Sequence, residues 1–193
     1  MIGNDIVDLN LSLQTPKTEN LRFLKKICSE DEIDFILKSD APELSLWRVW
    51  SMKESAYKII VKKSGINLFI PKKIKTEFLD KKNGKIHSEW GEFLSVTQQD
   101  DSFLHTVSID IECSPFSSVR KSNEKNQSAE VRNLLVRELS EIHPEKYKLE
   151  NLSIEKKERV PFLLYENKAM NFDISLSHHG EWLAYAFHDN QLI

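Results

Sequence analysis

Between Glu43 and Lys63 the apolar residues Leu46, Val49, Trp50, Tyr57 and Ile60 recur at the i, i+3, i+4, i+7 spacing of a helix that buries one face. Beyond "SGINLFIPKK" the period falls to two. "KIKTEFLD", "EFLSVTQ" and "FLHTVSIDIE" alternate as half-buried strands do, the first two separated by the turn-like "KKNGK". Upstream, "NDIVDL" reads as a short strand with Asp5, Val7 and Leu9 on one side and Ile2, Asn4, Ile6 and Asp8 on the other. "ENLRFLKKI" and "SEDEIDFILKS" read as helices, the second with Ser29 placed as an N-cap. The first half is therefore a strand, then helices, then an antiparallel sheet.

From Ser114 to Gln127 the chain turns polar and Ser-rich, "SPFSSVRKSNEKNQ", without a period, and reads as a linker. After it the pattern restarts. A helix "SAEVRNLLVRELSEIH" precedes a strand around "YKLENLSIEKKE", an apolar "VPFLL", and the pair "DISLSHH" and "EWLAYAFHD" joined at His179-Gly180. Two halves of similar make-up predict an α+β fold of two pseudo-duplicated lobes, residues 1–113 and 128–193, each with an antiparallel sheet and packed helices. No sequence repeat links them.

The 27 basic and 30 acidic residues of this 193-residue chain give a formal charge of −3, so no global field recruits nucleic acid or an anionic membrane. An anionic ligand must be held by a local cluster. Cys28 and Cys113 are too few for a disulfide framework and match no zinc spacing; they read as buried free thiols. The opening "MIGNDIVDLN" lacks a basic n-region and a long apolar stretch, and no run of about 18 apolar residues occurs, so a cytoplasmic protein is expected.

Lys53 falls inside the apolar stripe of the long helix, and Glu54 and Lys58 lie together on the adjacent side, four residues apart. Taken alone, a snorkelling Lys53 and an i,i+4 surface pair explain them. Asp5 alone reads as a charge guarding an edge strand, and Asp8 as a turn or cap residue. In "SLSHHGEW", Ser175 and Ser177 share one strand face and His178 stands at its end, which suits an anion that needs several donors or, equally, a polar hairpin corner at Gly180. Ser177 and His178, adjacent on a strand, point to opposite faces, and there is no Gly-x-Ser-x-Gly elbow, which argues against a Ser-His hydrolase.

Together, "GNDIVDL", "WSMKESAYK" and "ISLSHHGEWLAYAF" resemble the signature motifs of the 4′-phosphopantetheinyl transferases: a Gly-x-Asp strand, a Trp-x-x-Lys-Glu-Ala/Ser-x-x-Lys helix and a Ser-x-Ser-His strand. "EVRNLLVREL" is similar to the family's Arg-bearing helix, "SGINLFIPKKIKTEFLD" to its post-helix segment, and "KKERVPFLL" loosely to its Gly-Lys-Pro loop. The motif order, Gly-x-Asp first and Ser-His last, resembles the short trimeric holo-acyl-carrier-protein synthases, in a chain long enough for both lobes of the surfactin-synthetase-activating type. The resemblance thus implies a circular permutant of the two-lobed type that works as a monomer.

The resemblance further implies transfer of 4′-phosphopantetheine from coenzyme A to a serine of an acyl or peptidyl carrier protein, releasing 3′,5′-ADP. By the same resemblance Asp5 and Glu54 are the ligands of Mg2+, with Mn2+ possible, and Glu54, Lys58 and Asp5 carry the chemistry. His178, Ser177 and Arg137 hold the phosphates of coenzyme A, Lys53 lines the anionic cleft, and Arg159 stands in for the loop Lys, since Val160 precedes Pro161. Two-lobed members have Asp-x-Glu in the strand where this chain has Val7, which leaves any part for Asp8 in the metal site open. The alternatives are an inactive module of the same fold that binds carrier protein or coenzyme A, and an enzyme acting on another phosphate ester.

Overall fold

The computed structural model describes residues 1–110, 113–122 and 124–190. The periodic stretch around Lys53 becomes the helix α4 (Pro42–Ser64), opened by a proline in its first turn and closed by Gly65 in the left-handed conformation. Ahead of it run β1 (Ile2–Asp8), the short α1 (Leu9–Ser12), α2 (Leu21–Ile27) and α3 (Glu30–Lys38). Ser29 and Glu32 form a reciprocal capping box at the start of α3. Then come β2 (Lys75–Phe78), β3 (Asn83–Ser88), β4 (Gly91–Gln99) and β5 (Phe103–Ile109).

These strands make an antiparallel sheet in the order β1-β5-β4-β3-β2, with α4 packed on one face through Met52, Ala56, Ile59 and Ile60 against Ile86 and Phe93. Gly3 makes that packing possible at β1. A Cβ there would sit 2.0 Å from the Ser55 carbonyl oxygen, so only glycine lets the helix lie this close to the strand.

The second half holds β6 (Phe116–Lys121), α5 (Gln127–Ile142), β7 (Leu152–Lys157), β8 (Val160–Tyr165), β9 (Lys168–Ala169), β10 (Phe172–His179) and β11 (Trp182–Asp189). They form two three-stranded antiparallel sheets, β10-β11-β6 and β7-β8-β9. Val131, Leu135 and Leu139 of α5 pack against Leu163, Leu183 and Tyr185. The fold is α+β with antiparallel sheets.

Two expectations need correction. Residues 114–127 are not simply a linker, because β6 pairs with β11 from Phe116↔Phe187 to Lys121↔Trp182. A strand at a sheet edge needs backbone partners more than apolar side chains, and Phe116 stacking on Phe187 supplies the anchor. The "KKNGK" turn is displaced as well: Asn83, Gly84 and Lys85 lie in β3, and the reversal sits just before them, where the Asp80 carboxylate accepts the amides of Lys82 and Asn83. Of the two free thiols, Cys28 is buried and Cys113 only partly so.

β1 and β10 are both edge strands of their sheets, and they face each other across a seam. Their backbones do not pair. Instead the amides of Ile2, Asn4 and Asp8 donate to the Asp173 carboxylate (2.6 Å), the Ser175 hydroxyl (2.9 Å) and His179 Nδ1 (2.9 Å), always 171 residues further on. Asp8 closes this end of the seam: its carboxylate accepts the amides of Leu11 (3.1 Å) and Glu181 (2.8 Å). Asp8 is thus the cap of α1 and a clasp on the β10–β11 turn.

Candidate functional site

Asp5 lies on the same side of β1 as Gly3, so it faces α4 where the helix is closest. Two residues of α4 meet it there, Glu54 and, one turn on, Lys58. Lys58 Nζ is 3.9 Å from Asp5 Oδ1; the Ser51 hydroxyl and the Ile6 amide stand close enough to the carboxylate to favour its charge, but Oδ2 is buried and makes no hydrogen bond of good geometry among the described residues. Burial pushes the Asp5 carboxyl above its usual range, with Lys58 opposing the rise. Burial also raises Glu54 to about 7, the adjacent Asp5 charge adding to the effect and Lys58 opposing it. Two carboxylates forced together in a poorly solvated place, one oxygen unpartnered, fit a hard divalent cation.

Among the described residues no group of three or more His, Cys, Asp or Glu side chains that could hold a metal ion occurs, and Asp5 and Glu54 are the carboxylates that would meet a cation here. Its remaining positions would go to water and ligand oxygens.

On the facing side of the seam, β10 contributes Ser177 and His178 to a cavity of 220 Å³ that Asp5, Lys58, Ser128, Val131, Lys156 and Leu176 also line. By the constant offset of the seam Ser177 belongs opposite Ile6, but its Oγ is buried with no partner among the described residues. The seam is therefore open at this one step. His178 is pushed below its ordinary pKa by burial and by the cations Lys58 and Lys156, so it is neutral at pH 7 and holds one donor and one acceptor nitrogen. A second cavity of 240 Å³ adjoins the first through Lys58, Lys156 and Leu176, and is walled by Tyr57, Val160 and Pro161.

An ammonium has three hydrogens, and this decides among the lysines of α4. Lys53 Nζ donates to Ile27 O (2.8 Å), Glu32 Oε2 (2.7 Å) and Pro71 O (3.1 Å), and it is fully buried. Lys58 donates to Asn4 O (2.5 Å) and Leu176 O (3.2 Å) and keeps its third hydrogen.

Lys53 is thereby corrected. It does not line the cleft but forms an internal ion pair whose carboxylate is itself filled, Glu32 accepting also from the Ser29 amide and from the amide and hydroxyl of Thr76. A buried charge is tolerated only when paired and hydrogen-bonded, and α2, α3, α4, the turn at Pro71 and β2 all meet there.

Arg137 is the second correction. It is exposed on α5, away from the face that carries Val131, Leu135 and Leu139. Five residues make 140° of helical turn beyond one revolution, so an arginine at 132 lies on the opposite side from one at 137. Arg132 Nη2 donates to Ser128 Oγ (3.0 Å), its charge acts on Lys156, and its Nε is buried without a partner among the described residues. The helix arginine beside the cleft is Arg132. Its i+4 spacing from Ser128 and its i+3 and i+7 spacing to Leu135 and Leu139 carry that signal in the sequence.

Arg159 stands at the rim of the larger cavity, where the tight turn between β7 and β8 holds it at φ 72°. Lys156, which nothing in the sequence singles out, lines both cavities. The structure thus gathers Asp5, Glu54, Lys58, Ser177, His178 and Arg159 with Arg132 and Lys156, and leaves Lys53, Arg137 and Asp8 elsewhere.

A family model described as the 4′-phosphopantetheinyl transferase superfamily matches residues 1–107, more than half of the chain. The crystal structure of Thermotoga maritima holo-[acyl-carrier-protein] synthase (AcpS) is similar to this chain with a TM-score of 0.45 and 10% sequence identity, over 87% of this chain and 83% of that one. No curated protein matches the sequence.

Proposed function

The chain belongs to the 4′-phosphopantetheinyl transferase superfamily, and on that premise we propose that it transfers 4′-phosphopantetheine from coenzyme A to a serine of an acyl or peptidyl carrier protein. The observation that carries the reading is the open step of the seam, where paired acids on one side face a set of anion donors on the other. The serine oxygen attacks the phosphorus that bears the pantetheine arm, the bond from that phosphorus to the bridging oxygen breaks, and 3′,5′-ADP leaves with that oxygen.

Glu54 takes the serine proton, itself or through a water it orients, as a buried carboxylate beside Asp5. Lys58 turns its remaining hydrogen to the leaving phosphate, where charge grows as the bond breaks. Ser177, His178, Arg132 and Lys156 hold the phosphates, and Arg159 guards the rim of the adjoining cavity. Asp5 and Glu54 would hold Mg2+ or Mn2+, which when bound supplies charge neutralisation of the pyrophosphate.

The reading includes a circularly permuted, two-lobed chain acting as a cytoplasmic monomer. In its favour, β1 and β11, at opposite ends of the described chain, pack together through Ile6 and Ala184, and both walls of the cleft come from one chain. The test is mass spectrometry of apo acyl and peptidyl carrier proteins incubated with the protein, coenzyme A and Mg2+. A gain of one phosphopantetheine is expected; calorimetric binding of coenzyme A without any gain would instead make the chain an inactive binding module.

A further inference from the structure

Strands that pair backbone to backbone have their register fixed by the ladder. β1 and β10 lack that, so something else must stop them sliding: β5 and α4 hold β1, and a slip of one residue would carry Ser177 and His178 of β10 about 3.3 Å out of line with Asp5 and Glu54. Lys62 stands one turn beyond Lys58 on α4. Its Nζ donates to Ile2 O on β1 (2.6 Å), to Ile174 O on β10 (2.8 Å) and to Asp173 Oδ1 (2.5 Å). The other oxygen of Asp173 accepts the Ile2 amide at 2.6 Å.

Each partner of this ion pair therefore grips both strands, and Lys62 also roots them to the helix that carries Glu54. The pair is nearly closed to solvent, its side chains 7% and 11% exposed. All three ammonium hydrogens are used, so although Lys62 lines the larger cavity it has no donor left for a ligand. Lys58 bridges Asn4 O and Leu176 O and the Asn4 amide reaches Ser175 Oγ, while at the far end of the seam Asp8, His179 and Glu181 make the clasp that answers Lys62 and Asp173. The open step at Ser177 lies between the two.

We propose that Lys62 and Asp173 are positioning residues, which fix the register of β1 against β10 and so hold Asp5 and Glu54 opposite Ser177 and His178. They act through those groups rather than on the substrate. The activity readout rests on the transfer reaction proposed above, whereas the structural readout does not.

Removing one partner would strand a buried charge, so the informative variant carries Lys62→Met and Asp173→Asn together, which leaves no unpaired ion. Hydrogen exchange and coenzyme A titration are run on the full chain, with Lys62→Arg alone, which keeps the charge opposite Asp173 and the donors to both strands, as the conservative control. In the double variant the Ile2 and Asn4 amides should exchange at least tenfold faster while the centre of β4 is unchanged. Its kcat should fall about a hundredfold, the scale of an ångström of misplacement, with coenzyme A affinity within threefold of the parent.

The single variant should keep both properties within about threefold. Unchanged exchange at Ile2 and Asn4, or a tenfold loss of coenzyme A affinity without an exchange effect, would overturn the proposal and make Lys62 an ordinary cavity residue. Faster exchange in a protein whose parent transfers nothing would retain the register lock and remove the transferase reading.

Discussion

Replacing Glu54 by Gln should make the protein more stable and less active at once. The Glu54 carboxyl ionises at about 7 in the folded chain against an ordinary 4.5, because it is poorly solvated and stands beside Asp5. The folded state thus holds this proton more tightly than the unfolded state does. Its contribution to stability is complete below pH 4.5 and is lost as the pH rises through 7.

The full penalty at high pH is about 3 kcal/mol, the attraction of Lys58 included; partial solvent access reduces it to roughly 1–3 kcal/mol. Glutamine has the same shape and no charge, so Glu54→Gln should escape the penalty. For a chain of this size that is a rise in melting temperature of roughly 3–10 °C at pH 8, shrinking toward zero at pH 5. Saturating Mg2+ should narrow the gap by stabilising only the parent.

Transfer to an apo carrier protein should meanwhile drop about 10²–10⁴-fold. Calorimetric melts at pH 5, 6.5 and 8, with and without metal, measure all of this. A variant that melts below the parent at pH 8, or by a margin that does not depend on pH, would refute the account of paired, desolvated acids.

Lys53→Met should cost about 3–5 kcal/mol in denaturant unfolding by leaving Glu32 buried and unpaired, and Lys53→Met with Glu32→Gln should recover much of it; a fully stable Lys53→Met that binds coenzyme A poorly would restore Lys53 to the cleft. Arg132→Ala should weaken coenzyme A binding at least tenfold by calorimetry while Arg137→Ala stays within twofold, and the reverse order would undo the assignment along α5. Gly3→Ala should force α4 off β1, lowering both the melting temperature and metal affinity; a neutral result would mean that the 2.0 Å approach to Ser55 relaxes without consequence.

What the sequence made legible was local. The stripe of α4, the alternation of β1, β4 and β10, and the cap at Ser29 are patterns within one element, and each appears where its period placed it. Lys53 was visible as an intruder in the stripe, but its partner Glu32 is 21 residues away on another helix, and nothing local announces that the two meet. The same holds for Lys156, one of several lysines near a hairpin until the fold turns it over the cleft. Motif likeness drew attention to Arg137, whereas helical geometry favours Arg132. β6 escaped because a ladder satisfies the backbone whatever the side chains are, and "SPFSSVRKS" has few side chains that advertise a strand.

The seam also sets an order of events as the chain is made. β1 can pair with β5 once about the first hundred residues are out, but its other edge must wait for partners 171 residues further along. From the end of β5 to those partners is about 65 residues, an interval of roughly 3–13 s at cellular synthesis rates. Throughout it the nascent sheet shows a strand edge whose amides of Ile2 and Asn4 lack their final acceptors, the kind of surface that recruits other chains. Lys58 and Lys62 already overhang that edge from α4, holding the carbonyls of Asn4 and Ile2 and setting two cations in the path of any intruding strand. The lysines that later bridge two sheets first act as wardens of one.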